Sequence, residues 1–304
     1  MTDASHKSQG ILAGLLAGAF WGLSFLIPRM LSGVHPIEVA TGRFAWFGLI
    51  SLATLFFQKK LTRRSPLFTH AKSAIIFSLS GYSLYYSLLV LAIQFTGIPI
   101  SSLIIGLLPV TISLVSGDRV ARPKLFRSAL GVIVVGLAIL NFEVFDPHLL
   151  EKFPHPFWGM IISLVCLVLW SVFAVLNSRF VKRHADVHLA EWTSVLGVYS
   201  GLTMLVIFLF VRSDDSDFSW KLIGLTGILG IFSTFIATRL WNYASRVLPA
   251  SLCAQLIVSE TVFALLYGFI YEWQWPTAVQ WTSMILLISG VCIAIQAFRV
   301  KQNG

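Results

Sequence analysis

The chain has 304 residues, of which 57% are hydrophobic and only 12% charged, and a net charge of +9. A soluble domain carries about 25% charged residues, so a water-facing surface cannot be built from this composition. The positive balance does not indicate nucleic acid either, because the basic residues sit between apolar runs and not on one face of a soluble fold.

Apolar stretches of membrane-crossing length recur along the whole chain. Between charge and proline breaks they predict helices over 11–31, 36–57, 73–95, 98–116 and 125–142, then 156–178, 189–211, 220–243, 250–271 and 276–298. The expected fold class is therefore an all-α integral membrane protein of about ten transmembrane helices, with the lipid bilayer as its solvent. No connection is long enough for a soluble domain, and the first span is read as retained and not as a cleaved signal.

Lysine and arginine set the expected orientation, because cytoplasmic loops keep the positive excess. Starting inside, one side collects Lys59, Lys60, Arg63, Arg64 and Lys72, then Arg119, Arg122, Lys124 and Arg127, then Arg179, Lys182 and Arg183, together with Lys7, Arg246, Arg299 and Lys301. The other side holds Arg29, Lys152, Arg212 and Lys221. Both termini are expected to be cytoplasmic. Cys166, Cys253 and Cys292 lie in apolar segments without metal-ligand spacing and read as small hydrophobes, so no metal or cofactor is expected.

An offset of about 150 residues sets Trp21 near Trp170, Gly97–Ser102 near Val247–Leu252 and, after a gap, Gly131-Val132 near Gly290-Val291. Two five-helix repeats, 1–146 and 147–304, follow from that order. An odd number of helices per repeat inverts the second copy in the membrane, an arrangement that holds substrate near the midplane between halves.

Several side chains within the spans ask for an explanation. Gly14, Gly18 and Gly22 on the first helix, and Gly197 and Gly201 on the seventh, make smooth strips that admit a neighbouring backbone. Pro28 and Pro109 mark expected helix interruptions, Pro109 at the depth where broken helices line cavities. Tyr82, Tyr85 and Tyr86 share a face of the third helix, and Trp21, Trp170 and Trp241 lie within spans; as a set they suggest an aromatic-walled cavity. Ser24, Asn177, Thr238, Gln255 and Ser259 are polar candidates at similar depth, with interhelical hydrogen bonding as the competing role. The charges Arg43, Arg239 and Glu260 are the sharpest feature, since each costs at least about 2.5–3.5 kcal/mol at a bilayer centre and should face the protein interior. Glu260 suits a substrate ammonium or a coupling proton, or else a structural ion pair with Arg43 or Arg239.

With Ala40-Thr-Gly-Arg43-Phe44-Ala45 in the second helix, Pro109 in the fourth, Gly131-Val-Ile-Val-Val-Gly136 in the fifth and Glu260-Thr-Val-Phe-Ala-Leu-Leu266 in the ninth, the chain resembles the drug/metabolite transporter superfamily. The likeness is to its ten-helix form with two EamA-type repeats, and within it to amino-acid exporters of the YddG type. Thr261 stands where that family often has proline after the glutamate. The resemblance implies a carrier in a bacterial inner membrane that exports amino acids, aromatic and other neutral ones, by alternating access through a cavity lined by helices 1, 3, 4, 6, 8 and 9. Trp21, Ser24, Tyr82, Tyr86, Trp170, Asn177, Thr238, Trp241, Gln255 and Ser259 are the candidate substrate contacts. Glu260, Arg43, Arg239 and Pro109 are candidates for coupling or gating. Drug, nucleotide-sugar or lipid-precursor carriage shares this fold, though a diphosphate ligand calls for more cavity cations. An intramembrane enzyme would need a nucleophile or metal motif, and no Gly-x-Ser-x-Gly, His-Glu-x-x-His or P-loop is present. A monomer satisfies all of this.

Overall fold

A computed structural model describes residues 3–31, 33–142, 155–211, 219–273 and 275–298. Helices begin where proline fits the first turn: α2 (Pro36–Phe57), α3 (Pro66–Thr69), α7 (Pro123–Leu140) and α8 (Pro156–Arg183) all start on one. Proline lacks the N–H that a helix start leaves unpaired anyway. The remaining elements are α1 (Asp3–Met30), α4 (Ala71–Gly81), α5 (Ser83–Ile105), α6 (Leu108–Ser116), α9 (Leu189–Val211), α10 (Trp220–Ile228), a π-helical segment (Leu229–Ile236), α11 (Ala237–Val247), α12 (Ala250–Glu272) and α13 (Ala278–Phe298). Among the described residues nine helical stretches are long and apolar enough to cross a membrane, and Ile100–Ser116 makes a shorter tenth. The protein is an all-helical, multi-pass membrane protein, as its composition requires.

Three departures from the sequence expectation matter. The third span is broken at Tyr82 (φ −133°, ψ −92°), where α4 ends and α5 begins. The cause lies next door: a Cβ on Gly81 would meet the ring of Phe173 at 2.5 Å, so only glycine lets α8 press in here. Helix then continues from Ser83 to Ile105 through Pro99, whose missing N–H leaves one rung open, with no interruption of the helix at the expected turn near residue 97. The chain reverses there all the same, because Cys166 and Gly159 pack on Tyr85 and Thr96, whereas Ser163, Ser171 and Arg179 bond to Ser101, Thr111 and Ser116. The interruption in the fourth span falls at Gly106–Leu107, just ahead of Pro109, while Pro28 sits inside the last turn of α1 without breaking it. The third departure is the π-helical segment, which inserts an extra residue into the eighth span.

Helix pairs lock through small residues. α1 packs on α12 with Gly14, Gly18 and Gly22 against Leu256, the Ser259 side chain with Glu260 N, and Ala264. α2 packs on α9 where Gly48 and Gly201 meet, a Cβ on either lying within 3.2 Å of the other's Cα. α1 also contacts α11, while α8 contacts α4, α5 and α6; α6 contacts α12, and α7 contacts α13. Exchanging the first five spans with the last five leaves this set of partners unchanged. The expected division at residue 146 lies outside the described residues.

The glycine contacts generate a contrast. Gly201→Leu forces α2 from α9 and should cost about 1–3 kcal/mol, read as a clear drop in the melting temperature of the detergent-solubilised protein. Gly131→Ala, inside α7 with no neighbour within 4 Å of the added carbon, should leave it unchanged or slightly raised.

Candidate functional site

Three indoles meet at the centre of the bundle. Trp21 of α1, Trp170 of α8 and Trp241 of α11 stand with ring centroids 6.1 Å (Trp21–Trp170), 5.2 Å (Trp21–Trp241) and 5.9 Å (Trp170–Trp241) apart. Trp170 and Trp241 are buried and Trp21 is partly exposed. Phe173 continues the wall from Trp170 to Tyr82, whose hydroxyl donates to Thr238 Oγ1 at 3.3 Å and whose ring packs on Phe44 and Phe47.

Arg43 of α2 is buried beside this wall. Its Nε donates to Thr234 Oγ1 at 2.8 Å, and its guanidinium carbon lies 5.1 Å from the Tyr86 ring centre and 5.6 Å from that of Phe44. The π-helix makes the first contact possible: Thr234 Oγ1 donates to Leu229 O five residues back, which aims its lone pair inward at Arg43. Glu260, on α12, is partly exposed, and it lies in electrostatic reach of Arg43 and Tyr85.

Exposure changes abruptly at this level. Residues 250–259 of α12 are all buried, whereas 263–269 are all half-exposed; α5 likewise changes from buried at 83 to half-exposed throughout 84–91, and 102–107 are half-exposed too. A helix wedged between lipid and protein shows exposure with a 3.6-residue period. Uniform half-exposure means that the inward face of these helix halves is less covered than the buried halves behind it. The less covered side lies away from the chain's start, because α1 and α12 run parallel, Gly10 lying against Val247 and Leu248.

The opposite end is closed by charged and polar side chains that cap helix ends. Asp118 Oδ2 accepts from the N and Oγ of Ser251 (2.8 and 2.9 Å) in the first turn of α12, where an anion complements the helix dipole. Lys182 Nζ donates to Leu248 O at 2.6 Å and Arg179 Nη2 to Ser116 O at 3.2 Å, cations at helix C-termini. Arg246 donates to the carbonyls of Val181, His184 and Val187, and Lys60 pairs with Glu191 at 3.3 Å. At the same end Phe180 stacks between His184 and Trp192, and the His70 ring sits 4.8 Å from that of His184.

Comparison with known proteins adds the family. The EamA-like transporter family model matches residues 8–142 and again 157–296. The chain belongs to the EamA-like transporter family. The inner membrane protein YtfF of Escherichia coli (strain K12) is 30% identical over 95% of both chains. The Bacillus subtilis (strain 168) protein named uncharacterized transporter YyaM is 23% identical over 93% of this chain and 92% of its own. A solved crystal structure shares the fold at a TM-score of 0.77 and 18% identity, over 97% of this chain and 99% of that one.

In this EamA-like transporter the candidate polar residues divide. Asn177 is fully buried and taken up by the protein: it donates to Asn242 Oδ1 (2.8 Å) and accepts from Trp192 Nε1 (3.0 Å), while Asn242 donates to Thr193 (3.0 Å). Gln255 Nε2 donates to Pro109 O and Ser113 Oγ at 3.2 Å, occupying the carbonyl ahead of which the helix breaks. Ser259 donates to Leu256 O and abuts Gly18, and Ser24 bonds Ser233 at 2.7 Å. Thr238 is buried as the acceptor of Tyr82. Arg239 corrects the expectation that it faces inward: it is exposed on the outer face of α11, two turns from the helix end, within reach of the interface for a long side chain. It therefore cannot be the structural partner of Glu260. Tyr85, half-exposed on the less covered side in electrostatic reach of Glu260, was not among the site candidates, although its spacing with Tyr82 and Tyr86 marked it.

Burial and the neighbouring His184 hold the His70 imidazole below its ordinary range, with Asp186 opposing. The folded state thus favours neutral His70, a contribution present above the unfolded value of about 6.5 and lost as pH falls below it. The melting temperature should fall from pH 7 to pH 5, and His70→Asn should flatten that fall.

Proposed function

We propose that this transporter carries amino acids, aromatic and other neutral ones, out of the cell by alternating access between two inverted five-helix halves. The observation that carries the reading is the central site itself: an indole triad, tyrosines, one arginine and one glutamate sit where the less covered side meets a closed, polar-latched end. Aromatic faces take an apolar side chain, and the two charges suit a small polar solute. Trp21, Trp170, Trp241, Tyr82 and Tyr86 form the wall, Arg43 and Glu260 couple binding to movement, and the break at Gly106–Leu107 before Pro109 gives the fourth span a joint. Asn177, Thr238, Gln255, Ser24 and Ser259 hold the wall in place.

The strong bias of lysine and arginine to the closed end supports cytoplasmic termini in a bacterial inner membrane, so the less covered side faces outward. A nucleotide-sugar or lipid-diphosphate reading is weaker, because Arg43 stands alone among the buried residues as a cation at the site. A monomer contains the whole site.

Uptake of labelled amino acids into liposomes holding the purified protein tests the substrate class. Transport of at least one large neutral amino acid is expected; a panel without a single transported member would remove it. Trp170→Ala should change relative rates among transported amino acids several-fold at near-normal expression, whereas uniform loss of protein would assign Trp170 to packing alone. A periplasm-active reporter fused after residue 304 should be silent, and activity there would overturn the orientation.

A further inference from the structure

Arg43 and Glu260 are opposite charges within the spans that do not pair directly. Lys60 and Glu191, at the closed end, make an ion pair at 3.3 Å. Arg43 and Glu260 are near enough for each to feel the other's charge, yet no guanidinium nitrogen comes within 4.0 Å of the carboxylate. Each is also poorly satisfied. Among the described residues the guanidinium makes one hydrogen bond, through Nε to Thr234. That bond, with the rings of Tyr86 and Phe44 against its face, fixes the plane of the fork and leaves both Nη groups without a protein acceptor. Glu260 makes no hydrogen bond among the described residues, although it has four lone-pair sites to fill.

Charges in a low-dielectric interior attract strongly, and a direct ion pair would satisfy both groups at once. The fold prevents it. Arg43 is tied to the π-helical segment through Thr234, and Glu260 is held on α12 by the α1 backbone, where a Cβ on Gly18 would lie 3.0 Å from Glu260 N. Tyr85 lies in electrostatic reach of both, Tyr86 lies against the guanidinium, and Trp21 is the partly exposed member of the indole triad.

We propose that Arg43 and Glu260 form a two-ended receptor for a zwitterion, the substrate carboxylate on the Arg43 Nη groups and its ammonium on Glu260, with the side chain against Trp21 and Tyr86. This rests on the reading of the protein as an amino-acid carrier and assigns the two ends of the substrate to named groups. The carboxylate suits a guanidinium whose two Nη donors match its two oxygens, and the ammonium suits an acceptor-only carboxylate. Binding leaves the site with no net unpaired charge. A site holding two bare charges resists the loss of water that closing over it requires, and a filled one does not, so the empty carrier should reorient more slowly than the loaded one.

Three ligands separate the ends: L-phenylalanine, its amide, which lacks the carboxylate, and 3-phenylpropionate, which lacks the ammonium. Competition against labelled phenylalanine in proteoliposomes reads their affinities. In the wild-type protein each truncated ligand should bind about 10- to 100-fold more weakly than phenylalanine, the loss expected for one charged hydrogen-bonded contact. Arg43→Gln should weaken phenylalanine to the level of the amide while barely changing the amide itself. Glu260→Gln should weaken phenylalanine to the level of 3-phenylpropionate and spare that ligand. Arg43→Lys, which keeps the charge without the fork, should retain part of the affinity, and unliganded melting temperatures show whether each variant is folded. Wild-type protein that binds the truncated ligands as tightly as phenylalanine overturns the receptor whether or not the variants fold. So do folded variants that lose affinity for all three ligands alike. Either result with phenylalanine still transported leaves the amino-acid carrier standing; no transport of any amino acid by the wild type removes the carrier reading and the receptor with it.

Discussion

A polar group placed in hydrocarbon must find its partner inside the protein, and the architecture of this chain follows from that requirement. Backbone groups meet it by helix formation throughout the spans. Side chains meet it by linking spans: Trp192, Asn177, Asn242 and Thr193 form one buried chain of hydrogen bonds across α9, α8 and α11. Serines and threonines turn back on carbonyls three to five residues earlier, as Ser80, Ser83, Ser163 and Thr226 do. The exceptions are spread along the spans. Among the described residues the buried Ser51 Oγ, Thr96 Oγ1, Ser200 Oγ, Trp241 Nε1, Ser245 Oγ and Gln255 Oε1 have no hydrogen-bond partner, each leaving a cost of about 1–3 kcal/mol. Two of them, Trp241 and Gln255, belong to helices that bear on the indole triad or on the break before Pro109.

The closed end has a different economy of forces. Asp118, Lys182, Arg179 and Arg246 each hold the end of a helix from across an interface between spans, so their bonds report how the spans are docked. Contacts of this kind, at the bundle's edge and reachable by water, are individually weak and replaceable by hydration. The glycine seams of α1 with α12 and α2 with α9 are dense and cannot be traded for water in the same way. A carrier that must open this end has a natural division: the polar caps separate, while the glycine-locked pairs travel together.

Much of the fold was legible from sequence because its determinants are local. Apolar runs of crossing length, prolines at helix starts and glycines at every fourth position each act within a turn or a span, and most helix limits fall close to the expected ones, although α1 begins at Asp3 and α8 runs on to Arg183. The site was legible in composition but not in roles. Asn177, Gln255 and Ser259 are the same residue types whether they face a solute or a carbonyl, and only the neighbouring span decides which. The break at Tyr82 was hidden for the same reason, since it depends on Phe173 arriving from ninety residues away.

The two arginines show most clearly where depth in the sequence fails as a guide. Arg43 and Arg239 both lie inside apolar spans, and depth alone does not sort them. The π-helical segment from Leu229 to Ile236 adds a residue to its span. Within it Thr234 turns toward Arg43 as its hydrogen-bond acceptor. Arg239 stands on the outer face of α11, where its length lets the guanidinium reach the polar edge of the bilayer. An irregularity written in a run whose only polar members are Ser233 and Thr234 therefore helps to hold Arg43 at the centre, while the face that Arg239 occupies takes it out of the site, and the charge of the site is set by backbone geometry as much as by residue type.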